Sequence, residues 1–480
     1  MNYKIVGRIV SKILALEALF MMPPAVICAF DSNMKTCVAF LISIAVTLAV
    51  SGVMYIVCRN AKRAFYAKEG FVCVGLSWIF LSLAGSLPLV ISGEIPNFID
   101  AFFEIVSGFT TTGASVVPDV EALSRGVLYW RSFSHWLGGM GVLVFLLAID
   151  PIGSSSLHLL RAESPGPSVG KIVPKMRQTA KILYLLYIVI TVFDIFFLLI
   201  GGMPVFDAVC TAFATAGTGG FGIKSDSIAS FSPYIQNVCT VFMILFGVNF
   251  SCFYLVLIRN FKELFKNGEV KFYIGVIVAS TALITLNVYH IYGNVEEALR
   301  HSAFQVASIM TTTGFATVDF NLWPPFSKAV LLCLMIIGAC AGSTGGGIKC
   351  SRVILYIKTF VRSIRQTLHP QKIQLIRLNG EPTDEKIIKS TLGYLCAYVI
   401  LIIISFFLVS IDGFSVETNI SAVAACFNNI GPGFDAVGPM SNYGGFSDVS
   451  KLVLIWDMLA GRLEIFPILV LFSPSTWRRV

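Results

Sequence analysis

The sequence predicts an all-α polytopic membrane protein, in which two N-terminal helices precede four span, pore-loop, span units around a pseudo-fourfold central pore. Three observations predict it. The 480 residues are 56% hydrophobic and 13% charged, with a mean hydropathy of +0.80, whereas soluble domains carry roughly a quarter of charged residues. Apolar runs long enough to cross a bilayer, roughly 20 residues each, recur along the whole chain. Between them a turn rich in threonine, glycine and asparagine appears four times.

The apolar runs lie near residues 5–28, 36–58, 70–92, 126–149, 180–201, 233–258, 270–292, 327–358, 390–411 and 450–473. An even number of crossings returns both ends to one side. The net charge of +8 is explained by where the cations sit. Lys4, Arg8 and Lys12 open the chain; Arg59, Lys62, Arg63 and Lys68 fill the second connection. Arg161, Lys171, Lys175, Arg177 and Lys181 follow, then Arg259, Lys262, Lys266 and Lys271, the segment from Lys349 to Lys389, and Arg478 and Arg479. The alternate connections hold few cations, among them Lys35, Arg125, Lys224 and Lys328. This is the positive-inside pattern with both termini cytoplasmic, and it makes a nucleic-acid partner unnecessary. No small-residue cleavage site follows the first apolar stretch, so that stretch reads as a retained helix.

The repeated turns are FTTTGAS at 109–115, TAGTGGFG at 215–222, MTTTGFAT at 310–317 and NNIGPGF at 428–434. Aligned on one glycine they give Gly113, Gly220, Gly314 and Gly431, at intervals of 107, 94 and 117 residues (220 − 113, 314 − 220, 431 − 314). Gly220 is preferred to Gly219 because it precedes Phe221 as Gly314 precedes Phe315. The units run 67–165, 166–265, 266–365 and 366–480, after a helix pair at 1–66. Irregular backbone at membrane depth persists only where protein or water solvates it, so four such turns imply a shared central cavity. Before each turn a short amphipathic stretch opens on an acid, Asp100, Asp207, Glu296 with Glu297, or Glu417. The acid suits the positive end of a helix dipole, and the helix aims its negative end at the turn. Glycine lets consecutive carbonyls face inward at positive φ, and backbone oxygen suits a hard cation. No ring of acidic side chains adjoins the glycines, which argues against a calcium-type filter.

Two further features stand out. A continuous helix over 327–358 would reach roughly 45 Å, longer than a hydrocarbon core of about 30 Å, so it must break at Gly342–Gly347, in what is read as the only clearly broken span. Arg462 lies inside the last span, where a charge is expensive and faces a cavity or a partner such as Asp457 or Glu464. Other patterns carry less. Gly217, Gly219 and Gly222 match a dinucleotide fingerprint by letter only, without a βαβ unit or the expected acid downstream. GSTGGGIK has Ile348 between glycine and lysine, unlike a phosphate loop. The twelve cysteines read as buried small hydrophobes. His135, His158, His290, His301 and His369 read as surface or packing residues. No nucleophile and base are grouped, so no enzyme is expected.

With RAESPGP at 161–167, CAGSTGGGIK at 340–349 and AGRLEIFP at 460–467, the whole chain resembles the Trk/Ktr/HKT superfamily of potassium transporters, most closely the bacterial Trk-type pore-forming subunit. The resemblance implies potassium uptake across the bacterial inner membrane, K+ as the transported ion and no organic cofactor. It makes Thr111, Thr112 and Gly113, Thr218, Gly219 and Gly220, Thr312, Thr313 and Gly314, and Asn429, Ile430 and Gly431 the potassium filter. It makes Gly342, Ser343, Thr344, Gly345, Gly346, Gly347 and Lys349 an intramembrane gate, and Arg462 a positive barrier beneath the filter. It also implies a homodimer and a cytosolic nucleotide-binding regulatory subunit of the TrkA type. A secondary transporter working by alternating access is the competing expectation, marked by paired broken helices and acids at midplane.

Overall fold

The computed structural model describes residues 1–60, 65–141, 176–372 and 374–477, with backbone alone at 176–179. RAESPGP, the distal part of the 126–149 run, the boundary at 165/166, Lys62, Arg63, His158, Arg161, Lys171, Lys175, Arg478 and Arg479 lie outside the described residues, as does the side chain of Arg177.

Helices α1 (Tyr3–Phe20), α2 (Met22–Phe30) and α3 (Met34–Cys58) form the N-terminal pair, α1 and α2 together making one crossing. The first unit contains α4 (Ala67–Ser92), the short α5 (Phe98–Phe109) and α6 (Arg125–Gly139). The second contains α7 (Met176–Ile200), α8 (Val205–Gly217), α9 (Pro233–Phe246) and α10 (Phe250–Leu257). After α11 (Phe261–Lys266) come α12 (Gly268–Tyr292), α13 (Val295–Met310), α14 (Pro325–Ile336) and α15 (Cys350–Leu368) of the third. A two-residue hairpin pairing Arg377–Leu378 with Glu381–Pro382 leads to the fourth unit. Its helices are α16 (Glu385–Val409), α17 (Val416–Phe427), α18 (Asp448–Arg462) and α19 (Phe466–Phe472).

Six described helices are long and apolar enough to cross a membrane, and they match the N-terminal pair and the first span of every unit. The second spans correct the reading of ten continuous crossings with one break. The 233–258 run bends by 92° between α9 and α10. The 327–358 run is interrupted between Ile336 and Cys350, and the 450–473 run between Arg462 and Phe466. Hydropathy registers apolar length and is blind to direction, so a broken helix of apolar residues looks like a straight one. The breaks survive at membrane depth because they satisfy each other: Cys340 N–H donates to Gly247 O at 3.1 Å, and Phe250 N–H to Gly342 O at 3.0 Å. At the last break Phe466 N–H donates to Glu464 O at 2.8 Å around Ile465, at φ 68° and ψ −57°, a γ-turn that a β-branched residue enters only under strain.

The four short helices share one local design. Asn97, Asn294 and Ser415 cap three of them through side-chain oxygens, with Pro204 before the other. An acid occupies every first turn, as the dipole favours. Cations from second spans answer two of these acids in the next unit round: Lys451 bonds Asp100 at 2.6 Å and Lys328 bonds Glu417 at 2.9 Å. Arg125 at the corresponding place in α6 lies over the Phe206 ring at 4.4 Å, beside Asp207.

Apolar burial closes the ring of units. Trp78, Phe109 and Trp130 of the first unit share a core with Leu454, Ile455 and Met458 of the fourth. Phe304, Ala307 and Phe315 of the third pack with Leu198, Cys239 and Met243 of the second. Ile430 and Phe434 of the fourth join the core of the third. The two chain ends meet as well, since Tyr3 OH donates to Trp477 O at 2.7 Å and Lys68 Nζ to Ser475 O at 2.9 Å.

Candidate functional site

Each short helix ends in the same way. Thr112, Gly219, Thr313 and Ile430 donate their N–H back five residues, to Ser107, Ala214, Ser308 and Ala425, at 2.8–2.9 Å. The preceding residue, Thr111, Thr218, Thr312 or Asn429, is left-handed with φ between 53° and 59°, closing the helix in the manner of a Schellman cap. One residue past each donor, Gly113, Gly220, Gly314 and Gly431 return to positive φ at 79°, 77°, 84° and 97°. The alternation is the same in all four turns and supports Gly220 over Gly219 as the aligned residue. Threonine at three of the helix ends and asparagine at the fourth also carry positive φ, which no local pattern announces. It costs about 1–2 kcal/mol for each threonine, whereas asparagine enters this region more readily.

The turns are in mutual contact. A Cβ placed on Gly113 would lie 2.0 Å from Gly219 O, one on Gly220 1.9 Å from Thr313 O, one on Gly314 2.0 Å from Ile430 O, and one on Gly431 2.6 Å from Thr112 O. First touches second, second third, third fourth and fourth first, so the cycle closes. All four glycines line one outer cavity of about 140 Å³. On the other side of the ring lies an inner cavity of about 130 Å³, lined by Gly139, Ser343, Gly346, Lys349, Gly461 and Arg462 among others. The fourfold arrangement is imperfect. Asn429 Nδ2 donates to Thr112 Oγ1 at 3.0 Å, and Tyr443 OH to Gly431 O at 2.7 Å.

The 342–347 segment projects under this ring as a loop, left-handed at Gly342 (φ 73°) and Gly347 (φ 67°). Its stem is zipped by Gly338 N–H to Ile348 O at 2.9 Å and Cys350 N–H to Ala339 O at 3.1 Å. Glu269 Oε1 holds both ends, accepting from Ala341 N–H at 2.7 Å and Ser351 N–H at 3.0 Å. Lys349 Nζ donates to Gly345 O. Arg462 reaches across the cavity, with Nη1 donating to Thr344 O at 2.8 Å and Nη2 to Gly138 O at 2.5 Å and Gly139 O at 2.7 Å. Of the partners considered for it, Asp457 accepts from Ser405 Oγ at 2.6 Å and Glu464 is paired with Arg352.

A family model of TrkH cation transport proteins matches residues 37–479. The chain belongs to the TrkH family. It is 36% identical to the Trk system potassium uptake protein TrkH of Salmonella typhimurium and 35% identical to that of Escherichia coli K12, covering 100% of both sequences in each case. Its fold matches the crystal structure of the potassium transporter TrkH from Vibrio parahaemolyticus with a TM-score of 0.89 at 32% identity, over 100% of each chain.

This TrkH-family chain also contains site residues that sequence reasoning passed over. Arg131 and Glu104, 1% and 0% exposed, form an ion pair at 2.7 Å behind the first turn. Glu104 also accepts from Val116 N–H at 3.0 Å and Ser115 Oγ at 3.0 Å, and the guanidinium lies over the Phe221 ring at 4.1 Å. One pair thus ties the first turn to the second. His135, read as a surface or packing residue, is a fully buried bracket between the same turns. Its Nδ1 bonds Gly108 O at 2.8 Å, and its Nε2 accepts from Phe221 N–H at 3.2 Å. Those bonds require a neutral ring protonated on Nδ1. The imidazole also explains Gly219, where a Cβ would fall 2.2 Å from the ring. A charge inside an apolar span marks Arg131, in the 126–149 run, as it marks Arg462; Glu104, in the short helix before the first turn, carries no such mark.

Proposed function

We propose that this chain carries potassium ions into a bacterial cell across the inner membrane, through a filter of main-chain oxygens supplied by the four turns. The observation that carries the reading is the closed cycle of glycine-to-carbonyl approaches from Gly113 to Gly219, Gly220 to Thr313, Gly314 to Ile430 and Gly431 to Thr112. In this reading Thr111 to Gly113, Thr218 to Gly220, Thr312 to Gly314 and Asn429 to Gly431 replace the ion's water with carbonyl oxygen. Four helix C-termini point their negative ends at the same place. The chain is organised as the helix pair 1–66 and units 67–165, 166–265, 266–365 and 366–480, with both termini cytoplasmic. The membrane potential supplies about 2.3 kcal/mol per charge per 100 mV, enough for moderate accumulation without a pump. Of the two marks of alternating access, paired broken helices are present in the second spans of the second and third units. A channel-like path is favoured on the other, because the acid lining the inner cavity, Glu464, is paired with Arg352, and the buried acids Glu17 and Asp194, whose oxygens have no hydrogen-bond partner, line neither cavity.

The loop 342–347 with Lys349 serves as the gate. Arg462 acts in two ways: its charge keeps a cation from resting below the filter, and its bonds to Thr344, Gly138 and Gly139 hold the loop across the path. Two such chains form the working dimer, and the basic cytoplasmic connection read from Arg352 to Lys389 receives a nucleotide-binding regulatory subunit of the TrkA type. Arg352 itself is buried against Glu464, so the docking face begins at the exposed Lys358 beyond it.

The decisive experiment is growth on limiting potassium of an uptake-deficient bacterial strain expressing this chain. The parent restores growth, and Gly113→Ser restores it poorly while admitting sodium. Failure of the parent to rescue, with the protein present in the membrane, overturns the proposal. Arg462→Gln is expected to insert normally and to raise potassium flux measured in vesicles, because both the charge and the clasp are lost. Unchanged flux at equal expression removes that role.

A further inference from the structure

At the inner end of the four turns, the left-handed residues Thr111, Thr218, Thr312 and Asn429 hold the same backbone position, and each carries a side-chain oxygen. All four residues are 0% exposed. Two of these oxygens, Thr111 Oγ1 and Asn429 Oδ1, have no hydrogen-bond partner. A buried oxygen left without a donor is costly by about 1–3 kcal/mol, and a hard cation is a partner that would satisfy such an oxygen. The Thr218 hydroxyl donates to Gly217 O at 2.6 Å, which leaves its lone pairs available. The fourth is different. Thr312 Oγ1 accepts from Gly346 N–H at 2.6 Å, and Gly346 is part of the loop that fills the space beneath.

The same loop residue lies close to the fourth turn. A Cβ on Gly346 would be 2.6 Å from Asn428 O and 3.2 Å from Asn429 Oδ1. The amide hydrogen carries partial positive charge, so it stands among the very oxygens a cation would use. An N–H group directed at an oxygen and a cation bound to that oxygen repel each other. The stem of the loop cannot yield readily, since Glu269 clamps Ala341 and Ser351 together. Movement is therefore confined to the few residues between the clamps.

We infer that Gly346 N–H and a potassium ion compete for Thr312 Oγ1, so that the seated loop and an occupied inner site exclude one another. This rests on the reading of the turns as a cation filter. Potassium reaching the inner end of the filter then displaces the loop, and withdrawal of the loop raises the affinity of that end for potassium by the same factor, as linkage requires. The ion acts as its own opener.

Hydrogen–deuterium exchange on the full chain in lipid nanodiscs, followed by mass spectrometry of peptides covering 338–350, tests this directly. The comparison is potassium chloride against choline chloride at equal ionic strength. Potassium is expected to speed exchange of the loop amides about tenfold, the factor carried by one hydrogen bond of about 1.4 kcal/mol. Thr312→Val, which cannot accept the bond, should exchange fast in both salts, and Thr312→Ser should behave like the parent. Equal exchange of the parent in the two salts overturns the inference, as does a parental potassium response in Thr312→Val. Potassium flux into vesicles by the parent separates the two layers. Selective flux with potassium-independent exchange sinks the competition and leaves the filter standing, whereas absence of potassium-selective flux sinks the filter reading itself.

Discussion

Gly220→Ala is expected to abolish selective potassium uptake while the protein still reaches the membrane. Two independent costs fall on this substitution. Alanine at φ 77° is in a left-handed conformation that disfavours a side chain by about 1–2 kcal/mol. Its methyl would also stand 1.9 Å from Thr313 O and 3.0 Å from Thr313 C, and a carbonyl fixed by a helix cap has no rotamer to which it can retreat. Either the second turn moves outward or the third rotates its carbonyl away from the axis. Both responses break the common geometry of oxygens on which, in the proposed filter, discrimination between potassium and sodium depends. The conformational term alone corresponds to roughly a tenfold loss, and the clash adds to it. Gly113→Ala and Gly314→Ala should behave alike, each with an obstructing carbonyl oxygen at 2.0 Å. Gly431→Ala, where the nearest atom is 2.6 Å away, should retain more uptake. Isotope influx into vesicles under a fixed potential, in potassium and in sodium, measures the order. Near-parental selectivity in Gly220→Ala would contradict the packing described for the ring.

Much of this architecture was legible in the sequence, for identifiable reasons. The first span of each unit is a continuous apolar helix, so a hydropathy reading found all of them, together with the N-terminal pair. The four turns were legible because glycine, and the acid that opens each short helix, are chemical requirements visible at single positions. Gly220 could be chosen over Gly219 from Phe221 alone, and the alternation of positive φ supports that choice. What stayed hidden depends on contacts between distant segments. Gly219 is glycine because His135, 84 positions earlier (219 − 135), fills the space beside it. The bend after Phe246 is stable because residues near 340 complete its hydrogen bonds, and no property of the 233–258 run announces that. Arg462 was noticed as a charge in an apolar span, yet its carbonyl partners on Gly138, Gly139 and Thr344 come from two other units. Local chemistry survives in the string of letters, and pairing across units does not.

Glu104→Ala should be among the most destabilising single changes in the protein, and replacing both members of its ion pair with Arg131 by neutral groups of similar volume should cost far less. The parent pair is sealed from solvent, and Arg131 Nη1 already lacks a hydrogen-bond partner. Removing the carboxylate leaves a guanidinium in the interior with only Ser115 Oγ at 3.3 Å and the face of Phe221. Breaking one side of a buried pair in this way costs about 3–5 kcal/mol, whereas replacing both members by groups of similar volume is often close to neutral. The double variant Glu104→Gln/Arg131→Met therefore should unfold at a higher temperature than Glu104→Ala, as followed by thermal denaturation in detergent with size-exclusion detection. The functional consequence is separable from the thermal one. Val116 N–H and Ser115 Oγ lose their acceptor when Glu104 becomes alanine, which frees the backbone just beyond Gly113. Glutamine at 104 keeps an acceptor for them, so the double variant should also recover more potassium selectivity than Glu104→Ala does. If Glu104→Ala matched the parent in both melting and selectivity, the pair would be an incidental contact, and the seam between the first and second turns would have to be held by His135 and the aromatic packing around Phe221 alone.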